Sequence, residues 1–145
     1  MIRFGFFILI VCLVACQSQT RLESEKLNLI SDFMESARDE KIPNDYIIQK
    51  FLPVDTARKM REIENTILNE VRSELNRDNV RLKYVSYAKA EDKITRTFEV
   101  SDLELDNLYF VLNNDSLFVP VLVSNGRIIS FSSLRKGDRR YLLLL

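Results

Sequence analysis

From Leu22 onward the apolar positions repeat first with a helical period and then with a strand period. Leu22, Leu29, Ile30, Phe33 and Ala37 form one stripe of a helix, and Glu23, Glu25, Lys26, Asp32, Glu35 and Arg38 fill the rest of its circumference. Lys41-Ile42-Pro43-Asn44 breaks this pattern. Asn44 is then the expected N-cap of a short second helix carrying Ile47, Ile48, Phe51 and Leu52, which Pro53 stops. A third helix, capped by Asp55 or Thr56, has the stripe Ala57, Met60, Ile63, Ile67, Leu68, Val71 and Leu75 and should end near Arg77-Asp78-Asn79.

Beyond Val80 the period falls to two, and β-branched and aromatic residues dominate. The pattern predicts strands at Val80 to Ala88, Lys93 to Val100, Asn107 to Leu112, Leu117 to Val123, Arg127 to Leu134 and Arg139 to Leu144. The separators are turn-forming residues. Asn125-Gly126 is the strongest of them, since a type I′ hairpin turn needs positive φ at both central positions. Pro120 demotes its strand to an edge or demands a bulge. Leu142 to Leu145 show no alternation, so either both faces of the last strand are buried or an apolar edge is left open. Helices followed by closely linked strands predict an α+β domain, its N-terminal helices packed on an antiparallel meander of about five or six strands. At the level of architecture alone this resembles cystatin-like and NTF2-like folds.

Composition narrows the chemistry. The chain has 145 residues, enough for one domain, with Lys+Arg 21 against Asp+Glu 21 and no His. The missing imidazole removes histidine bases, histidine metal ligands and histidine pH switches. The charge balance argues against a nucleic-acid partner. Asp102-Leu103-Glu104-Leu105-Asp106 begins like a calcium loop, but Asn107 stands where the sixth-position Gly belongs and Asn113 where the closing Glu belongs, so a solvated loop or strand face is the reading. Ser130 and Ser132 near Lys136 are read as the polar side of a half-buried strand. No catalytic, metal or cofactor site is assigned. The aromatic residues Tyr84, Tyr87, Tyr109, Phe98, Phe110, Phe118 and Phe131 serve either a core or a ligand pocket, with core as the default. The densest charge cluster is Arg135-Lys136-Gly137-Asp138-Arg139-Arg140. Arg135, Lys136, Arg139 and Arg140 are candidates for binding phosphates or an acidic partner, against the plain alternative of a solvated turn.

The N-terminus has its own organisation. Arg3 is followed by an apolar run from Phe4 to Cys16, 13 residues long, against roughly 17 to 25 for a membrane-spanning helix. A positive start, a short apolar run and a small residue before the cut describe a secretory signal. Its end, Leu13-Val14-Ala15-Cys16, resembles the lipobox of bacterial lipoproteins. That resemblance implies cleavage after Ala15 and acylation of Cys16, including the palmitate-type chains of that class. Two or more acyl chains make a stable membrane anchor. Cys12 leaves with the signal, so no intrachain disulfide is expected. Gln17 after the cysteine, with no acidic cluster behind it, implies the outer membrane and its periplasmic face. The expected organisation is a signal over residues 1–15, a lipidated tether over 16–21 and one α+β domain over 22–145. The expected role is a non-catalytic binding module of the cell envelope, with a membrane contact through its lipid and an envelope protein or small ligand as partner. The alternatives are a carboxylate-dependent envelope enzyme and a carrier with an aromatic pocket.

Overall fold

The computed structural model describes the backbone of residues 3–53 and 58–145, and side chains over 20–53, 59–101 and 104–145. The expected caps Asp55 and Thr56, with Ala57, lie outside the described residues. Three main helices come first: α1 (Arg3–Arg38), α2 (Asn44–Phe51) and α3 (Arg58–Leu75). A four-stranded antiparallel sheet follows in the order β1 (Leu82–Ser86), β2 (Leu108–Asn113), β3 (Ser116–Ser124), β4 (Arg127–Ser130). A hairpin of β5 (Ser133–Lys136) and β6 (Arg139–Leu142) forms a second sheet. The α+β arrangement and the meander are as the periodicity predicts, but the strands divide between two sheets.

The helical stripe of α1 buries Ile30, Phe33, Met34 and Ala37, whereas Leu22 stays exposed. Residues 16–21, expected as a tether, are helical backbone within α1. The N-cap of α2 is Pro43, and Asn44 is its first residue. The Asn44 amide is used elsewhere: it donates to Asn69 Oδ1 at 2.7 Å and accepts from the Arg72 guanidinium at 2.9 Å. Arg72 also donates to the carbonyls of Asp39 and Ile42, which clamps the α1–α2 turn onto α3. In α3, Leu68, Val71 and Leu75 are buried, Ile63 is exposed, and Glu64 is wholly buried one turn before Leu68.

Lys93 to Val100 is not a strand. Its first part is the short helix α4 (Asp92–Thr95), and Phe98 then forms a parallel bridge to Arg140. Ile94 and Phe98 are buried while Arg96 midway between them is exposed, which a helical turn permits and strand alternation, with all three on one face, does not. The acidic stretch at 102 is also helical, as α5 (Asp102–Leu105). The Ser101 hydroxyl and backbone N–H both donate to the Glu104 carboxylate in a capping box, which spends that acid on local structure.

Both hairpin turns of the main sheet have positive φ at both central residues: Asn114 and Asp115 at 49° and 63°, Asn125 and Gly126 at 50° and 69°. Pro120 lies in β3, an inner strand, yet β4 pairs β3 only from Leu122 to Ser124. Pro120 therefore sits where β3 is locally an edge, next to a register shift opposite Val111 and Leu112. The expected strand Arg127 to Leu134 is broken at Phe131-Ser132, where the chain leaves β4 for β5. Ser130 is fully buried rather than solvent-facing, and its hydroxyl donates to the Ser132 carbonyl at 3.2 Å.

The sheet has apolar residues on both faces. Toward the helices, Tyr109, Val111, Val121, Val123 and Phe131 join α1, α2 and α3, with Phe33 edge-on to Phe51 and Phe131 at 5.6 and 5.2 Å between ring centres. On the opposite face Leu108, Phe110, Leu112 and Leu122 meet Ile94 and Phe98, and Phe98 lies 5.1 Å from Phe110. The terminal leucines serve both sides. Leu142 packs in the second cluster and Leu145 against the first, and the backbone N–H groups of Leu143 and Leu145 bond to the carbonyls of Ser132 and Ile129. Both alternatives for this segment are thus realised in part, since Leu144 remains exposed.

Candidate functional site

An open groove runs along α3. Its deeper part, about 530 Å³, lies between Ile67, Val71 and Glu74 of α3 and Leu117, Phe118 and Val119 of β3. Its continuation, about 480 Å³, lies between Ile63 and Thr66 of α3 and Leu134 and Leu143 of the C-terminal segment. Ile67, Glu70 and Ser132 line both parts, so the two form one channel. It exists because β4 is shorter than β3 and the chain turns away at Phe131-Ser132. The first half of β3 is left without a partner on that side. Strand addition there is impeded, because Pro120 lacks a donor and the neighbouring bulge twists the edge. Contact with the groove would be made by side chains.

The groove is bordered by charges of both signs. Glu62, Glu70 and Glu74 stand on α3, with Lys59 the single cation in the lining among the described residues. Glu74 pairs with Arg77 at 2.6 Å. Among the described residues, Glu70 is in no ion pair. Past Leu134 lies the predicted basic cluster, and the structure keeps it together on the β5–β6 hairpin. Arg135 pairs across the ladder with Arg140, and Lys136 with Arg139, so like charges face each other twice. Only Arg139 has an acidic partner among the described residues, Glu99 at 3.2 Å. Arg135 donates to the Gly137 carbonyl instead, within its own turn. The backbone of Arg140 is bonded to Thr97 and Glu99, which holds the hairpin on the second core cluster.

The strand alternation places Leu134 and Lys136 on one face of this hairpin with Tyr141 and Arg139 opposite them. This face is the exposed one: Leu134 is 60% and Tyr141 42% accessible, with Ile63 across the groove at 38% and Leu144 at 56%. Sequence periodicity placed Ile63 on the inner stripe of α3, and it did not find the groove. The signal for it was weak, residing in Pro120 and in the break of the last apolar run.

A second, smaller hollow of about 390 Å³ lies between α1 and the sheet, lined by Glu23, Lys26, Lys89, Asp106 and Tyr109. Glu23 and Lys89 form an ion pair, and Lys26 is held by an amide oxygen. Lys89 donates to both Glu23 oxygens at 2.7 and 2.9 Å, and Lys26 to Asn107 Oδ1 at 2.7 Å. The bond from Lys89, with a further one from Ser86, holds the Glu23 carboxyl below its ordinary range. Burial, and then the negative charges of Glu23 and Asp106, push the Tyr109 phenol up to about 12. Burial also raises Tyr84, beside Ser31. Of the aromatic residues considered for a ligand pocket, Phe98, Phe110, Tyr109 and Phe131 are buried in the two clusters, and Phe118 lies along the groove. Among the described residues no group of three or more metal-ligating side chains converges. The side chain of Cys16 lies outside the described residues.

Comparison with known protein families, with characterised proteins and with solved structures finds no match to this chain. Among the described residues no helix is long and apolar enough to cross a membrane.

Proposed function

We propose that this protein is a lipid-anchored component of the bacterial cell envelope whose folded part is a protein-interaction module. The observation that carries the interaction reading is the groove along α3: an open channel of mixed polar and apolar lining, with exposed Ile63 and Leu134 on its walls and charge on its borders. The anchor rests on Leu13-Val14-Ala15-Cys16, after which the chain runs as helical backbone into the domain. Acylated Cys16 would then hold the module at the periplasmic face of the outer membrane. From Cys16 to Ile30, the first wholly buried residue among those described, a helix rises about 21 Å at 1.5 Å per residue. The stretch between them would act as a short helical post rather than a flexible stalk.

Two measurements test the two halves of this reading. Cys16→Ala should lose radiolabelled palmitate and leave the membrane fraction, and persistent tight membrane association would refute the anchor. A photo-crosslinking residue at Ile63 should capture a protein in intact envelopes, whereas the same residue at exposed Glu25 on α1 should not. Equal capture at both positions, or none at either, would refute the groove as a binding surface.

A further inference from the structure

The charge pattern around the groove is self-complementary. The α3 side of the apolar strip formed by Ile63, Leu134 and Tyr141 carries Glu62, Glu70 and Glu74 against one cation among the described residues, Lys59, and the hairpin side carries Lys136 and Arg139. When two copies of such a surface face each other about a two-fold axis, the acidic side of each meets the basic side of its partner. The apolar strips then close on one another at the centre. We propose that the occupant of this groove is a second copy of the same chain, with α3 of each protomer against the outer face of the partner's β5–β6 hairpin. This rests on the reading of the groove as the binding surface and names what binds there.

Three observations favour a second copy over an unlike partner. A strongly basic or strongly acidic partner would satisfy only one side of the groove and be repelled by the other. The like-charge pair on the outer face of the hairpin, Lys136 with Arg139, has only Glu99 among the described residues to offset it in the protomer and gains acidic neighbours in the dimer. Finally, Glu70 on one border and Lys136 on the other each lack an ion-pair partner among the described residues. Pro120 and the adjoining bulge block continuous strand pairing, which leaves a discrete side-chain interface rather than an open-ended sheet.

The test is sedimentation of the full-length chain in detergent over a concentration series. A mass of two protomers is expected. Ile63→Asp and Leu134→Asp should each yield protomers, with far-UV circular dichroism unchanged because neither side chain belongs to the buried clusters. Glu70→Lys and Lys136→Glu should each weaken association about tenfold or more. An equimolar mixture of those two variants should recover the dimer, because each contact then joins opposite charges again. Exposed Lys41→Glu, remote from the groove, should change nothing. A single protomer at every concentration, or a dimer insensitive to Ile63→Asp and Leu134→Asp, overturns the proposal. A protomer that still cross-links through Ile63 to a different protein overturns the second-copy occupant and leaves the groove reading standing. A protomer without any cross-link overturns both.

Discussion

Tyr109 shows how one side chain couples the first helix to the sheet. It is almost fully buried in the sheet, yet it borders the hollow where Glu23 and Lys89 join α1 to the segment after β1. Its phenol is raised to about 12 because the charged form would lose solvation and face Glu23 and Asp106. The sign of the linkage follows. The unfolded chain ionises this phenol near the ordinary value of 10 while the folded chain keeps it neutral. The stabilisation from Tyr109 is therefore complete below that value and is lost as pH rises from 10 toward 12. An absorbance titration near 295 nm should show Tyr109 ionising last, and Tyr109→Phe should remove that late step and flatten the alkaline loss of stability. A normal titration for every tyrosine would contradict the burial. Ser130 makes a related point. A hydroxyl in an alternating run reads as solvent-facing, but here it is buried, because its partner position is Leu122 and its bond is to the Ser132 carbonyl two residues on.

Among the elements, the helices owe their mutual placement to a few polar contacts as well as to their stripes. Arg72 is the chief one, with bonds to Asp39, Ile42 and Asn44 that join the ends of α1, α2 and α3. Removing a partly buried guanidinium that satisfies two carbonyls should cost about 2 kcal/mol. Chemical denaturation of Arg72→Ala should show this loss, and Arg72→Lys should recover little, since an ammonium cannot present the same fork. The β3–β4 turn is testable in the same way. Gly126 has φ of 69° and open space around it, so Gly126→Ala should cost about 1 to 2 kcal/mol purely through backbone conformation, without a clash. These elements were legible in advance because the cues are local: helical stripes in α1 to α3, and Asn-Gly at the turn. Lys93 to Val100 was misread for the same reason. Ile94, Phe98 and Val100 do fit a period of two, but Arg96 would then share their face, whereas it is exposed while Ile94 and Phe98 are drawn into the second cluster, which a helical turn allows.

Across the whole molecule, the sheet is a shared wall between two apolar clusters. Adjacent β2 residues, Tyr109 and Phe110, belong to opposite clusters, so neither core can dissolve without exposing the strand that the other needs. Phe33→Ala in the helical core and Phe110→Ala in the opposite core should each cost about 3 to 5 kcal/mol. Each should lower the midpoint of a single transition seen alike by fluorescence and circular dichroism. A split transition in either variant would show that the two sides unfold separately.

The amino-acid sequence by itself determined the α+β class, the existence of the three main helices, most of the strands and the positive-φ turns, because each follows from nearest-neighbour chemistry and periodicity. It also supplied the lipobox-like end of the apolar run and kept the basic residues of the hairpin contiguous in the chain. Tertiary structure alone decided the rest. The division into two sheets, the burial of Ser130 and the groove along α3 with Ile63 on its wall depend on where β4 stops and the chain turns at Phe131-Ser132, and the burial of Glu64 is likewise set by tertiary packing. Those outcomes are set by competition between distant segments for the same two faces of one sheet, and no local window of residues contains both competitors.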